Sequence, residues 1–331
     1  MLNKKPISLI LYSIIAILIF LSLVNSVFGL KTYSQQKYIL HTQTEILVLA
    51  RSKQKADKAI KKAYERIEEI EKIVNFFDPQ SELSKINEKA AYQEVQLSNE
   101  MYFLLKKAFW GSEITKGAFD ITTTPLSQLY GFGSETKQIP SKKQVKAALS
   151  LVGYENIILN EKNKTIRLAK KGIKLDLGGM AKGYTIDEGI KVLKAEGIKS
   201  GFINAGGNIF ALGRTKNFTP WKIGIRHPRQ TNKVIGTIKL NNSAVATSGD
   251  YEQFFIQGHK RYHHIMNPRT GKSATGMISA TIICPDALTS DILSTGIFVL
   301  GPEKGTEVVK NLGYKAILIF EKDNKLEIKN I

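Results

Sequence analysis

The chain has 331 residues, 43% of them hydrophobic, with 26 Gly and 9 Pro; this is globular composition, with material for one large domain or two interleaved halves. Lys and Arg number 48 against 29 acidic residues, a formal charge of +19, which suits anionic partners such as phosphates or lipid headgroups. The basic residues form no dense run, and there is no zinc-finger spacing, RNP signature or basic-helix repeat to support nucleic-acid binding. One cysteine, Cys284, excludes an intrachain disulfide and a cysteine-based zinc site; in the apolar run Ala280–Cys284 it reads as a buried strand residue.

At the N-terminus, Lys4 and Lys5 precede the uncharged stretch Ile7–Val24, with further apolar residues up to Leu30. Those 18 residues would span roughly 27 Å as a helix, just enough to cross a bilayer core. The flanking lysines keep the N-terminus in the cytoplasm, so the rest of the chain is exported. An uncleaved anchor and a signal peptide cut near Val27–Gly29 are both compatible with this pattern; the length of the run favours the anchor. Residues 1–30 are thus an anchor or signal peptide, 31–37 a polar linker and 38–331 the exported domain.

Within that domain, Tyr38–Ala50 alternates as a strand. Ala56, Ile60, Ala63, Ile67, Ile70 and Val74 then recur at helical spacing, and Asp78-Pro79 stops the helix. A second helix is predicted over Asn99–Thr115 and a short one over Ser141–Leu151. Ile157–Leu159 and Thr165–Leu168 flank a hairpin turn. A strand at Ile173–Leu177 runs into Gly178-Gly179 and a helix over Ala181–Glu196. Strands follow at Phe202–Ile203, Trp221–Arg226, Val234–Leu240, Tyr251–Ile256, Tyr262–Met266 and Ala280–Cys284. The chain closes with helices near Ser290–Leu300 and Pro302–Leu312 and the hairpin Ala316–Phe320 with Lys325–Ile328. Helices mixed with hairpin-connected strands indicate an α+β fold rather than a doubly wound parallel sheet.

Four segments can carry chemistry. In Asp176–Tyr184, two glycines allow a close backbone approach, and the following helix aims free N–H groups and Lys182 at a phosphate; Gly-Gly after a strand is equally common turn chemistry. In Ser290–Thr295, Asp291 and Thr295 stand at i and i+4 on one helix face, hard oxygen donors suited to Mg²⁺. The same segment also reads as ordinary capping, with Ser290 as N-cap and Asp291 in the first turn. His259 and His263 are four apart, but Gln257–Lys260 looks like a turn, so the spacing is not that of a helical metal pair. His264, leading into a Pro-Gly loop, is either a general base or a hydrogen-bonded edge histidine. Finally, Phe119 and Asp120 could stack on and bond to a planar ring, or Asp120 could cap the next helix.

The order of these segments along the chain resembles the FAD:protein FMN transferase (ApbE) family. The matching blocks are Phe76–Pro79 with Ser81–Asn87, Gly117–Asp120, Asp176–Tyr184, Asn204–Asn208, Ala244–Tyr251, His264–Gly271 and Asp291–Gly301. The resemblance implies a T-fold-like α+β architecture of mixed, largely antiparallel sheets with packed helices and an FAD cleft between two halves. It implies that Leu40 and Phe77 line the flavin site, that Ala118, Phe119, Asp120, Asp176, Lys182 and Ile265 contact FAD, and that Gly179 (by its carbonyl), Asp291 and Thr295 hold the metal. Leu40, Phe77 and Asn267 stand where the family often has Met, Tyr and Asp.

The expected reaction is a metal-dependent transfer, with Mg²⁺ or Mn²⁺, of FMN from FAD to a Thr or Ser hydroxyl of an exported redox subunit, releasing AMP. His264 is the expected proton acceptor and Asp250 the second choice. A metal-dependent FAD pyrophosphatase and a membrane-tethered flavin-binding module without catalysis are the alternatives.

Overall fold

The computed structural model describes residues 12, 14–17, 29–230, 232–323 and 325–331. Most of the apolar run expected to anchor the chain lies outside the described residues, and none of the described helices is long and apolar enough to cross a membrane.

Strands β1 (Lys31–Ile39) and β2 (Thr42–Ala50) form a hairpin paired along its whole length. Lys31–Lys37, expected as a linker, is therefore the body of a strand. Its side chains are mostly exposed, so it lacks the alternation that marks a strand in sequence, and the ladder to β2 supplies its order. Helix α1 (Lys53–Val74) buries the whole predicted stripe from Ala56 to Val74, and Ser52 Oγ accepts from the Lys55 N–H at its start. A smaller lobe follows: α2 (Glu82–Lys89), β3 (Val95–Gln96), α3 (Asn99–Ile114), α4 (Thr124–Leu129), α5 (Lys142–Leu149), β4 (Ile157–Asn160) and β5 (Thr165–Leu168). The chain returns through α6 (Ala181–Ala195), β6 (Gly201–Ala205), β7 (Asn208–Leu212), β8 (Trp221–Arg226), β9 (Val234–Leu240) and β10 (Ser243–Gly249). The hairpin β11 (Phe254–Gln257) and β12 (Lys260–His263) precedes β13 (Ser279–Cys284), α7 (Ala287–Leu300), α8 (Pro302–Leu312), β14 (Lys315–Lys322) and β15 (Lys325–Asn330).

The large sheet has the order β1-β2-β6-β7-β10-β13-β14-β15, and its pairings are antiparallel throughout. The expected α+β architecture with antiparallel sheets is what the chain adopts. Ile60, Ile67, Ile190, Ile203 and Phe210 join α1 and α6 to the sheet in one core. A second core, with Leu105, Phe119, Leu177 and Ile292, joins the smaller lobe to α7.

Three local readings change. Ile173–Leu177 forms no strand and belongs to no ladder; the Asn87 side chain bonds both the N–H and the carbonyl of Leu175, and Asp176 N–H donates to Ile121 O (2.9 Å). Helix α7 begins at Ala287, not Ser290, because Asp286 is the N-cap and accepts from Thr289 N–H (2.8 Å). Strands β7 and β10 were not expected; β11 begins three residues later than the predicted strand, and β12 ends three residues before its predicted limit.

Candidate active site

A cleft of about 560 Å³ lies between the two lobes, within the range of small-molecule sites. Its deep end is built on α7. The helix packs on β10 and β13 and presents Asp291 and Thr295 one turn apart, as their spacing predicted. Asp291 is 3% exposed and sits inside the helix rather than in its first turn, which removes the capping reading. Its Oδ2 accepts from Gly183 N–H (2.9 Å), its Oδ1 accepts from Asn208 Nδ2 (2.8 Å), and Lys182 Nζ lies 4.0 Å from Oδ1. Gly183 is required there: a Cβ would lie 2.3 Å from the Ala287 carbonyl oxygen, so only glycine lets α6 approach α7 so closely. Thr295 Oγ1 is 3.1 Å from Ser248 Oγ, which is itself 2.9 Å from Ser294 Oγ.

The segment from Asp176 to Tyr184 crosses the floor. Asp176 Oδ1 accepts from Gly178 N–H (2.8 Å), and burial raises the Asp176 pKa, opposed by that bond and by Lys182. Not all of the expected helix N–H groups are free. Those of Met180 and Ala181 donate to Leu177 O and that of Gly183 to Asp291, leaving Gly179 and Lys182 without a protein acceptor for their N–H groups among the described residues. Lys182 Nζ donates to Gly178 O (3.2 Å).

At Gly179 a Cβ would sit 3.5 Å from Thr295 Oγ1, so loop and hydroxyl are neighbours. Gly179, Asp291 and Thr295 thus line the same part of the cleft, where a carboxylate and a hydroxyl stand beside the Gly179 backbone. Each Asp291 oxygen accepts one protein bond and retains acceptor capacity. This all-oxygen set with one carboxylate fits a Mg²⁺-class ion that completes its shell with water and phosphate oxygens. No group of three or more His, Cys, Asp or Glu that could hold a metal occurs among the described residues, so a softer, nitrogen- or sulfur-rich centre has no support there.

The remaining predicted residues line the wall and rim of the same cleft, with one exception. Leu40 and His41 form the two-residue turn between β1 and β2, both at positive φ (53° and 56°), a type I′ geometry normally given to Asn and Gly. Phe77 is 60% exposed, with the His41 ring edge-on at 4.9 Å. Phe119, by contrast, is 2% exposed and packs behind Gly179, so it has no open ring face for stacking. Ala118 and Ile265 are buried in the wall. Asp120 caps no helix: its carboxylate accepts from the Thr122 N–H and hydroxyl and from Tyr154 N–H, ordering the loop. Its burial outweighs those bonds and raises its pKa.

His264 lines the cleft and its Nδ1 donates to Gln253 O (3.3 Å), which leaves Nε2 as the acceptor. Burial, with help from neighbouring His263 and Lys182, lowers its pKa to about 4, so the ring is neutral near pH 7. Asp250 is the exception. It does not line the cleft, and both its oxygens accept from Arg229 (2.7 Å each), with Arg261 Nε 3.9 Å away. A carboxylate whose two oxygens are both taken up by a guanidinium is a structural clamp turned away from the cleft. His259 sits in the β11–β12 turn and His263 is buried against Phe298, so the histidines form no ligand pair.

Asn208, Ser248 and His41 were not singled out in sequence. The first two lie in blocks matching the family, at Asn204–Asn208 and Ala244–Tyr251, but their roles arise only when α7 meets β7 and β10.

The profile of the ApbE family matches residues 40–318. A FAD:protein FMN transferase of Haemophilus influenzae is 33% identical over 281 residues, covering 81% of each chain. Another, of Treponema pallidum, is 30% identical over 307 residues, covering 88% of this chain and 85% of that protein. Among solved structures, the ApbE protein of Thermotoga maritima has a TM-score of 0.82 at 36% identity, over 90% of this chain and 96% of that one.

Proposed function

The chain belongs to the ApbE family, and from that premise we propose that the cleft binds FAD beside a divalent cation and transfers its FMN half to a Thr or Ser hydroxyl of an exported protein, releasing AMP. The activity itself is that of an FAD:protein FMN transferase. One observation carries the cation: Asp120, Asp176, Asp291 and Glu252 line the cleft, and Lys182 is the only Lys or Arg among the described residues that do. A pyrophosphate entering so acidic a cleft needs further positive charge. Gly179, Asp291 and Thr295 would hold the ion, which when bound supplies charge neutralisation at the pyrophosphate.

The chain's own groups account for the rest. Lys182 and the free N–H groups of Gly179 and Lys182 bind phosphate oxygens at the start of α6. Phe77, with Leu40 and His41, covers the flavin ring at the rim. The acceptor oxygen bonds to the FMN phosphorus as the phosphorus–oxygen bond to AMP breaks; the hydroxyl proton passes to Nε2 of His264. Lys4, Lys5 and the apolar run Ile7–Val24 support a place outside the cytoplasm, at the membrane.

The test is to incubate the full chain with FAD, Mg²⁺ and candidate exported flavoproteins and to weigh the acceptor. A gain of the FMN mass with stoichiometric AMP supports the proposal. FMN and AMP released with no acceptor modified makes the chain a hydrolase, and full transfer in excess EDTA removes the cation.

A further inference from the structure

A second cavity, of about 360 Å³, lies beside the cleft and takes no part in the reaction described above. Its floor is apolar and aromatic, with Tyr130, Val145, Leu149 and Tyr262; its rim carries Lys142, Lys146, Lys260, Lys272 and Arg261, and no carboxylate lines it. Arg261 is partly neutralised by Asp250 at 3.9 Å, whereas none of the four lysines makes an ion pair among the described residues. Lys142 and Lys146 stand at i and i+4 on α5, a helix without any acidic residue, so the two like charges are neighbours on one face with no acidic side chain on the helix between them. Four uncompensated cations around an apolar floor are a complement to an acidic chain bearing an apolar side chain.

The position of the cavity relates it to the reaction. A run of aromatic rings forms the wall it shares with the cleft: Tyr130 to Tyr262 (6.2 Å), Tyr262 stacked on Phe255 (5.1 Å), Phe255 to Phe132 (5.8 Å), and Phe132 to His264 (6.5 Å). Tyr130 and Tyr262 face the basic cavity, while Phe132 and His264 line the cleft. The bridge between Met266 and Ser273 ties the same wall, with Met266 on the cleft side and Ser273 on the other.

We propose that this cavity is the docking site for an acidic segment of the acceptor protein, which holds its Thr or Ser hydroxyl at His264. The segment carries Asp or Glu beside one apolar or aromatic residue, near in sequence to the modified hydroxyl. This inference rests on the transferase reading and specifies its protein substrate.

The test uses the full chain in neutral detergent, loaded with FAD, and fluorescent 15-residue peptides with a central Thr in a Gly/Ser background. An Asp-Asp-Phe triplet is placed at two, five or eight residues from the Thr, and a Lys-Lys-Phe peptide is the control. The expected result is binding of the acidic peptides in preference to the Lys-Lys-Phe control, weakened at least tenfold in K142E/K146E/K272E and by 0.5 M salt, while FAD affinity, read by flavin fluorescence, is unchanged. Equal affinity for the acidic and basic peptides, absence of peptide binding, or an affinity the triple variant leaves intact overturns the proposal. So does displacement of the acidic peptide by phosphatidylglycerol but not by phosphatidylcholine in the micelles, which would assign the lysines to a lipid surface. Loss of FAD binding in the unaltered chain would instead overturn the transferase site, a result this peptide assay reads separately.

Discussion

The two ends of the cleft are built in opposite ways. At the deep end, Asp291, Thr295, Asn208 and Ser248 come from a buried helix and two central strands, and polar contacts fix each of them. At the rim, Leu40, His41 and Phe77 come from turns, two of them in a left-handed conformation that L-residues rarely adopt, and the Phe77 ring is largely exposed. The deep end is rigid because its chemistry tolerates little displacement. The rim accepts backbone strain to hold side chains where a planar ligand would lie. Substitutions at the deep end should therefore act on kcat, and those at the rim on the FAD KM.

The sharpest break of that comparison is Asp291→Asn. Removing the charge and placing an amide opposite the donors Gly183 N–H and Asn208 Nδ2 should lower transfer by roughly 10³-fold, the several kcal/mol expected of a cation site. In-gel flavin fluorescence of a modified acceptor reads the loss, and circular dichroism establishes that the variant is folded. A kcat within tenfold of the unaltered enzyme would remove Asp291 from the site.

Next comes His264→Gln, which keeps a hydrogen-bonding side chain but offers no basic nitrogen; kcat should fall about 10²-fold. The pH profile is the finer reading. A base whose pKa is near 4 is neutral above that value, so the rate should be flat from pH 6 to 8 and fall only as the ring is protonated near pH 4. Stability carries the same sign. Between about 6.5, the ordinary value, and 4 the unfolded chain takes up a proton that the folded ring refuses, so stability falls as pH is lowered through that window. An acidic limb centred at 6.5 and retained in His264→Gln would exclude this ring as the base.

Asn208→Ala tests whether the support of Asp291 matters. Loss of its amide donor should cost 10–100-fold in Mg²⁺ affinity, the usual effect of removing a ligand's orienting partner, with FAD KM nearly unchanged. Phe77→Ala should do the reverse: KM for FAD rises up to about tenfold through lost ring contact, at near-constant kcat. If the two variants shift the same parameter, the division of the cleft into a chemical end and a binding rim is false.

The parts legible in sequence were those whose order is local. The 3.6-residue stripe of α1 and the alternating residues of β8 and β9 dictate their own structure, and the bounds of both strands are those expected. Strand β1 was missed because its polar side chains face solvent and only pairing with β2 makes it a strand. Strand β10, Ser243–Gly249, has the small polar composition of a loop and is ordered by β7 and β13 on either side. The site divides likewise. Asp176, Lys182, Asp291 and Thr295 carry their signal in short spacings. Asn208 and Ser248 acquire theirs through contacts with Asp291 and Thr295, 83 and 47 residues away. Asp250 lies two residues from Ser248 in a matching block, yet its carboxylate turns to Arg229, which no local pattern announces.

The smallest effect bears most directly on the rim. His41 has φ 56° in the turn that closes β1 onto β2, and its neighbour Leu40 has φ 53°. Asn visits that region more readily than His and has the side chain this turn type prefers, so His41→Asn relieves strain without adding the backbone freedom of Gly. It also removes the ring held edge-on to Phe77 at 4.9 Å. The variant should gain a few tenths of a kcal/mol in stability, a shift of about a degree in melting temperature for a chain of this size. Its KM for FAD should rise by a small factor, with kcat unaltered. A stabilised variant with weaker FAD binding means that the turn's strain serves the ligand. If His41→Asn instead melts lower and binds FAD equally well, the imidazole is there to hold the hairpin, and the contrast between the two ends reduces to exposure alone.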